Sequence, residues 1–471
     1  MNQTDIPFLT ATELSRLIKA KEISPVETME AYLDRIDEIN PKLNAYITVC
    51  RDEAIAQAKE SEQALFKDND LGPLHGVPVA IKDQIWTKGV LTTAGSNILR
   101  DFVPDQDATV VSKLRGAGAI LVGKTNMTEF AITTNSHFPY GMNLNPWDLS
   151  RYPGSSSGGS AAATAASLCG ISLGEDTGGS VRGPAASCGI AGLRPSYGLV
   201  SRYGLIGACW SKDIIGPMTR TVADCALTLQ AISGYDPKDR YTHDRDVPAF
   251  TDELSGNIKG LRVGVITNRV YTDDVAPEVR DAVVKAIEDL KSLGTSVSEI
   301  SLPMITQTAA FSLVGEQVEA VAGHRQYMKD RLSDYQHELR LTLLVSSLIP
   351  GQIYYKSLQL RDVWRTQMLE AFNRVDVLVL PTSPTVAATV PPATGLSSKA
   401  DMKENFFGRR SFTHPASLAG CPALSVNCGF TVEGLPVGLQ LVGRPFEDGV
   451  VLRVGHAYEQ ATDWHKRRPP V

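Results

Sequence analysis

The stretch PGSSSGGSAAATAASLCGISLGEDTGGSVRGPAA, Pro153 to Ala186, crowds glycine, serine and alanine into the middle of the chain. Side chains this small let backbone approach backbone, or a ligand, more closely than other sequences allow. A flexible Gly/Ser linker would lack an apolar interior and would join two independently patterned halves. Here the run AAATAASLCGISLG, residues 161–174, is apolar enough to be buried. The segment therefore reads as part of a packed core.

The flanking pattern alternates strands and helices. Ser24-Pro25-Val26-Glu27 reads as a capping box with proline in the first turn. Val26, Met29, Leu33, Ile36 and Ile39 follow at helical spacing and predict a helix to about Ile39. GVPVAIKD (76–83) and AGAILVGKT (117–125) predict short buried strands, with DATVVSKLRGAG helical between them. GLRVGVIT (260–267), VDVLVLP (375–381), ALSVNCGF (423–430) and PVGLQLVG (436–443) predict further strands, the last two close enough to pair. APEVRDAVVKAIEDLKSLG predicts a helix ending on Gly294, and GVVLRVGHAYEQATDW a closing one. Interleaved helices and near-continuous apolar strands predict an α/β fold, a large sheet covered by helices on both faces. No composition break divides the chain. We expect one domain over 1–471, with a core at about 70–230 and substrate-shaping insertions at about 240–260 and 300–410.

With 471 residues, 43% of them hydrophobic, and a net charge of −6, the chain has ample material for a core. The acidic balance argues against an electrostatic nucleic-acid binder. The N-terminal residues show no basic start followed by an apolar stretch, so no signal peptide is expected; no apolar run reaches spanning length, and the seven cysteines form no CxxC pair. The expected setting is cytoplasmic, with free thiols.

The chemistry of the small-residue segment is reached by exclusion. Gly154-Ser155-Ser156-Ser157-Gly158 matches a nucleophile elbow literally, but the lead-in NPWDLSRYP is polar and proline-ended instead of a strand. No G-K-[ST] closes a phosphate loop. The eight histidines show no metal-ligand spacing. What remains is nucleophilic serine chemistry. Gly178-Gly179-Ser180 follows the strand-like CGISLG, where glycine lets successive N–H groups curl into an anion-binding nest beside a hydroxyl. The candidate base is Lys82, at the end of an apolar strand, where burial disfavours the ammonium.

Together GVPVAIKD, GSSSGGSAAATAA and LGEDTGGSVRGPAA resemble the amidase signature family: a lysine, a Gly–Ser run whose serine lies 74 residues on, and a serine 24 residues further. The likeness extends from NPKLNAYITV through GKTNMTEFA, SRYGLIG and IGPMTRTVAD to EGLPVGLQLVG and HAYEQATDWHKRRP, nearly the whole chain. It implies the amidase signature fold, a large mixed twisted sheet. It also implies Lys82 as general base, Ser180 as acyl-forming nucleophile and Ser156, with a cis peptide bond, as the bridge between them. Backbone N–H groups of Thr177, Gly178, Gly179 and Ser180 would hold the oxyanion. No cofactor or metal is implied. Asp176 and Arg182 read as a structural ion pair, and Ser155 departs from the glycine common at that place.

Loops around such a core select the acyl group. VSRYGL, GPMTRTVAD and EQATDWHK resemble the branch of the family that releases ammonia from glutamine within a tRNA-linked amidotransferase. That branch grips the amino acid with an arginine and an aspartate. Aligned on YYKSLQ and HPASLAG, those places fall on Asp362 and Arg410, a reversed pair. The expectation is therefore a stand-alone amidohydrolase of small or aryl amides or related acyl-nitrogen compounds, acting on a small-molecule amide without nucleic acid or membrane, and open to forming a homo-oligomer. The alternatives are an inactive scaffold and the ammonia-releasing component of the tRNA-linked enzyme. Phe130, Phe138 and Trp210 are candidates for the acyl pocket and equally for core packing.

Overall fold

The computed structural model describes residues 2–132, 139–390 and 410–471. Eleven strands form one sheet: β1 (Tyr46–Val49), β2 (Pro78–Lys82), β3 (Ile120–Thr125), β4 (Ile171–Glu175), β5 (Ala191–Arg194), β6 (Ile215–Thr219), β7 (Arg262–Ile266), β8 (Ser296–Ile300), β9 (Val377–Pro381), β10 (Ala423–Phe430) and β11 (Pro436–Gly443). Their order is β1-β3-β2-β4-β6-β5-β10-β11-β9-β7-β8. β3, β2 and β4 run parallel, as do β9, β7 and β8. The strands between them pair antiparallel, including the β10–β11 hairpin. The α/β fold is thus mixed in the manner expected.

The sheet interior is dry. Every residue of β2, β3, β4, β5, β6, β9 and β11 is buried. This explains why these strands read as continuous apolar runs rather than alternating ones. Helices cover it, among them Pro25–Leu43 with its Ser24–Glu27 capping box, Pro277–Ser292 and Asp448–Gln460. The span around 300–410 is more than an insertion. Besides the helices Thr308–Asp330, His337–Ser346 and Gly351–Ala371 it supplies β9, which lies inside the sheet between β11 and β7.

The small-residue segment becomes a wholly buried helix, Gly158–Ala165, followed by β4. A Cβ on Gly159 would stand 2.6 Å from Ala45 O and closer still to Asn126 O, so only glycine lets this helix sit against those backbones. The helix carries the preceding serines to the carboxyl ends of β2 and β4, the edge where sheets of this kind place ligands. Among the described residues no helix is long and apolar enough to cross a membrane. All seven cysteines are free and buried.

Candidate active site

Lys82 ends β2, and Glu175 ends its parallel neighbour β4. The register pairs Ile81 with Leu173, so both side chains emerge at the same edge of the sheet. Lys82 is fully buried, and its Nζ lies 2.7 Å from Ser156 Oγ, 3.2 Å from Glu175 Oε2 and 3.4 Å from Glu175 O. Burial pulls the ammonium below its ordinary range, against the charge and hydrogen bond of Glu175. The Ser155–Ser156 peptide is cis. Ser157 ties this loop to the next: its N–H donates to Ser180 O at 3.2 Å and its hydroxyl to Glu175 O at 3.2 Å. Ser180 is therefore placed beside Ser156 and half-buried. No hydrogen bond joins Ser156 Oγ to Ser180 Oγ among the described residues.

The loop ahead of Ser180 has N–H groups to spare. Those of Thr177, Gly178 and Ser180 donate to no group among the described residues, whereas Gly179 N donates to Asp176 Oδ1 at 2.8 Å. Three of the four expected oxyanion donors are thus open, and the fourth shapes the loop. Gly179 has φ +127°, and a Cβ there would stand 2.5 Å from Thr413 Cβ. A Cβ on Gly178 would stand 2.8 Å from His414 Cδ2. The helix Arg410–Ala419 packs directly on this loop and fixes it.

Asp176 is the loop's anchor. It meets Arg182 Nη2 at 2.8 Å and Nε at 3.0 Å, and Arg194 Nη1 at 3.2 Å, all three residues fully buried. Burial pushes its carboxyl up, but the two guanidinium groups and the Val181 N–H overcome this and hold it well below the usual carboxylate range. Asp83 plays a similar part nearby, accepting from Thr93 N at 2.9 Å and facing Lys124 Nζ at 3.6 Å.

The outer candidates are less convergent. Asp362 is exposed on the helix Gly351–Ala371. Its neighbour Arg361 turns inward instead, donating to Leu418 O and Ser211 O at 3.0 Å each. Arg410 stands 3.8 Å from Glu316, which also meets Lys212 Nζ at 2.6 Å and His414 Nδ1 at 3.6 Å. Despite burial, Lys212, His414 and Arg410 hold Glu316 down to about 2. Among the described residues no ion pair joins Asp362 to Arg410. Phe130 is buried in a side cluster, edge-on to His324 at 4.4 Å. Trp210 is 59% exposed, its ring 4.7 Å from the Arg202 guanidinium. Phe138 lies outside the described residues.

Sequence reading passed over Glu175 and Asp213. Both are buried, and Thr177 Oγ1 lies 2.7 Å from each. The signal for Glu175 was a carboxylate ending an apolar strand; Asp213 gave none.

Residues 27–452 match the family described as Amidase. The chain is 40% identical to the A component of the glutamyl-tRNA(Gln) amidotransferase of Geotalea daltonii, over 98% of each. Among solved structures it resembles the same component from Thermotoga maritima, with 34% identity, TM-score 0.82, and 97% of this chain and 95% of that one covered. It also resembles a bacterial aryl acylamidase of the amidase signature family, with 28% identity, TM-score 0.88, and 97% and 98% covered. The amidotransferase relatives favour the alternative reading, the component of the tRNA-linked enzyme, over the stand-alone hydrolase. With its sheet, its lysine and its two serines in this order, the chain belongs to the amidase signature family, enzymes that act on the carbon–nitrogen bond of amides.

Proposed function

We propose that the chain releases ammonia from a primary carboxamide through an acyl-enzyme on Ser180, as the ammonia-releasing component of an amidotransferase. One observation carries the chemistry: a wholly buried Lys82 Nζ, its charged form disfavoured, 2.7 Å from Ser156 Oγ. As a free amine, Lys82 accepts the Ser156 proton while Ser156 accepts that of Ser180. Ser180 Oγ attacks the carbonyl carbon, and the oxyanion is met by the open N–H groups of Thr177, Gly178 and Ser180. The proton returns along the same path to the leaving nitrogen, the C–N bond breaks, and ammonia departs. Water then adds to the acyl ester with Lys82 again taking the proton, giving the acid and restoring Ser180. The Ser156–Ser180 hydrogen bond closes when substrate binds, a common behaviour of catalytic contacts in unliganded enzymes.

The choice of acyl group is supported by the named relatives and by Arg361, which brings an arginine inward one residue from the place aligned for it. Arg410, at a place aligned with aspartate, favours a second reading, a stand-alone hydrolase of amides without an α-ammonium group. Ammonia release is to be measured from glutamine and from simple primary amides, and aniline release from anilides, with Ser180→Ala as the blank. Preference for glutamine, with partner proteins copurifying from the native host, supports the first reading. Preference for anilides or simple amides by the isolated chain supports the second, and no release above the blank refutes both.

A further inference from the structure

Behind Lys82 the site continues into groups that the proton path does not use. Thr177 Oγ1 lies 2.7 Å from Glu175 Oε1 and 2.7 Å from Asp213 Oδ1. A threonine hydroxyl has one proton and can donate it to only one of them. The other short contact requires a carboxylic O–H that donates to the threonine. Two bare carboxylates would leave one lone pair facing another in a dry site.

The surroundings say which carboxyl keeps the proton. Glu175 Oε2 faces two donors, Lys82 Nζ at 3.2 Å and Gln84 Nε2 at 3.3 Å. Asp213 Oδ2 accepts from Ala208 N and Cys209 N at 2.8 Å each, leaving Oδ1 as its proton-bearing oxygen. Burial first, then the charge of Glu175, pushes Asp213 up to about 8, against the pull of Arg202. Lys82 itself is faced by Glu175, Asp213 and Asp176, the last neutralised by Arg182 and Arg194.

We infer that Asp213, Thr177 and Glu175 form a directed hydrogen-bond chain, Asp213 O–H to Thr177 O–H to Glu175 carboxylate, whose end positions Lys82 Nζ on Ser156 and sets the pH range in which that lysine is a free base. Glu175 and Asp213 are positioning residues that act through Lys82; neither touches the reacting carbonyl. No covalent bond changes in the chain. When Asp213 ionises, Thr177 must abandon one carboxylate, and a second negative charge behind Lys82 favours its ammonium. The active range is therefore bounded by protonation of Lys82 on its acid side and by ionisation of Asp213 on its alkaline side.

This rests on the proposed serine chemistry, so the test reads Ser180 without an amide substrate: the rate of labelling by a fluorophosphonate across pH, each variant normalised to its own maximum. Glu175→Gln keeps the shape of the side chain and removes its charge. The acidic limb is expected to move down by about one to three pH units, the scale of one close opposite charge. Asp213→Asn reproduces the protonated acid, an amide N–H for Thr177 and an oxygen for Ala208 and Cys209. It is expected to abolish the parent's alkaline limb. A folded Glu175→Gln protein with an unmoved acidic limb overturns the inference, as does Asp213→Asn with the parent's alkaline limb. If Glu175→Gln fails to fold, the Asp213→Asn profile decides alone. A parent that takes no label at any pH removes the proposed function and this inference with it, whereas a labelled parent with unmoved limbs removes only the inference.

Discussion

Replacing Asp176 with asparagine isolates the residue that holds the oxyanion loop. The wild-type carboxylate meets Arg182 at 2.8 and 3.0 Å and Arg194 at 3.2 Å, with no solvent on any partner. Asparagine keeps the volume but leaves two buried guanidinium charges without a counter-charge. Breaking one side of such a network costs about 3–5 kcal/mol, chiefly from the charge left behind. Unfolding entropy of about 2 cal/mol/K per residue over 471 residues gives about 1 kcal/mol/K, so Tm should fall by about 3–5 °C. The asparagine also presents a weaker acceptor to Gly179 N, now 2.8 Å from the carboxylate, and turnover should fall by at least about tenfold as the loop loosens. The pH sign follows from the depressed carboxyl. Its stabilisation is complete above the unfolded-state value and is lost as pH falls through the lower folded-state value. The parent and variant should therefore differ in Tm near neutral pH and converge in strong acid. Differential scanning calorimetry with ammonia release on the same samples reads both effects. A variant melting within 1 °C (about 1 kcal/mol on the same scale) of the parent, with unchanged turnover, would refute the reasoning.

Other substitutions test neighbouring claims. Gly159→Ala forces a methyl to 2.6 Å from Ala45 O and should destabilise the fold by about 1–3 kcal/mol or more, read as a lowered Tm. Ser156→Ala breaks the proton path and should lower kcat by about 10²–10⁴ with Ser180 still in place, measured by ammonia release. Phe130→Ala should cost about 3–5 kcal/mol by emptying a packed site; a large KM change with normal Tm would instead make Phe130 a substrate contact.

Much of this architecture is legible in the chain because strand burial is two-sided. PVAI and VLVLP are unbroken apolar runs, and each lies in a fully buried strand. Lys82 stands out against such a run for the same reason that its ammonium is disfavoured there. The small-residue segment is legible as packing because Gly159 meets two backbones. Less is legible where function depends on rotation or on distant partners. A helix turns 100° per residue, so a one-residue shift separates an exposed Asp362 from an inward Arg361. Glu175 lies within LGEDTGGS, yet its meaning comes from Asp213 across a shared threonine, a contact with no spacing signature. Gly179 reads as an oxyanion donor in sequence; its N–H is taken by Asp176, which a one-dimensional pattern cannot express.

The central claim is that a dry, uncharged Lys82 activates Ser180 through Ser156. Pre-steady-state acylation of Ser180, followed across pH by intact-mass spectrometry in the parent and in Lys82→Ala, tests it most directly. The account predicts an acidic limb in the parent, and in the variant a flat profile lowered by at least about 10². A variant that acylates at the parent's rate with the same limb would contradict it.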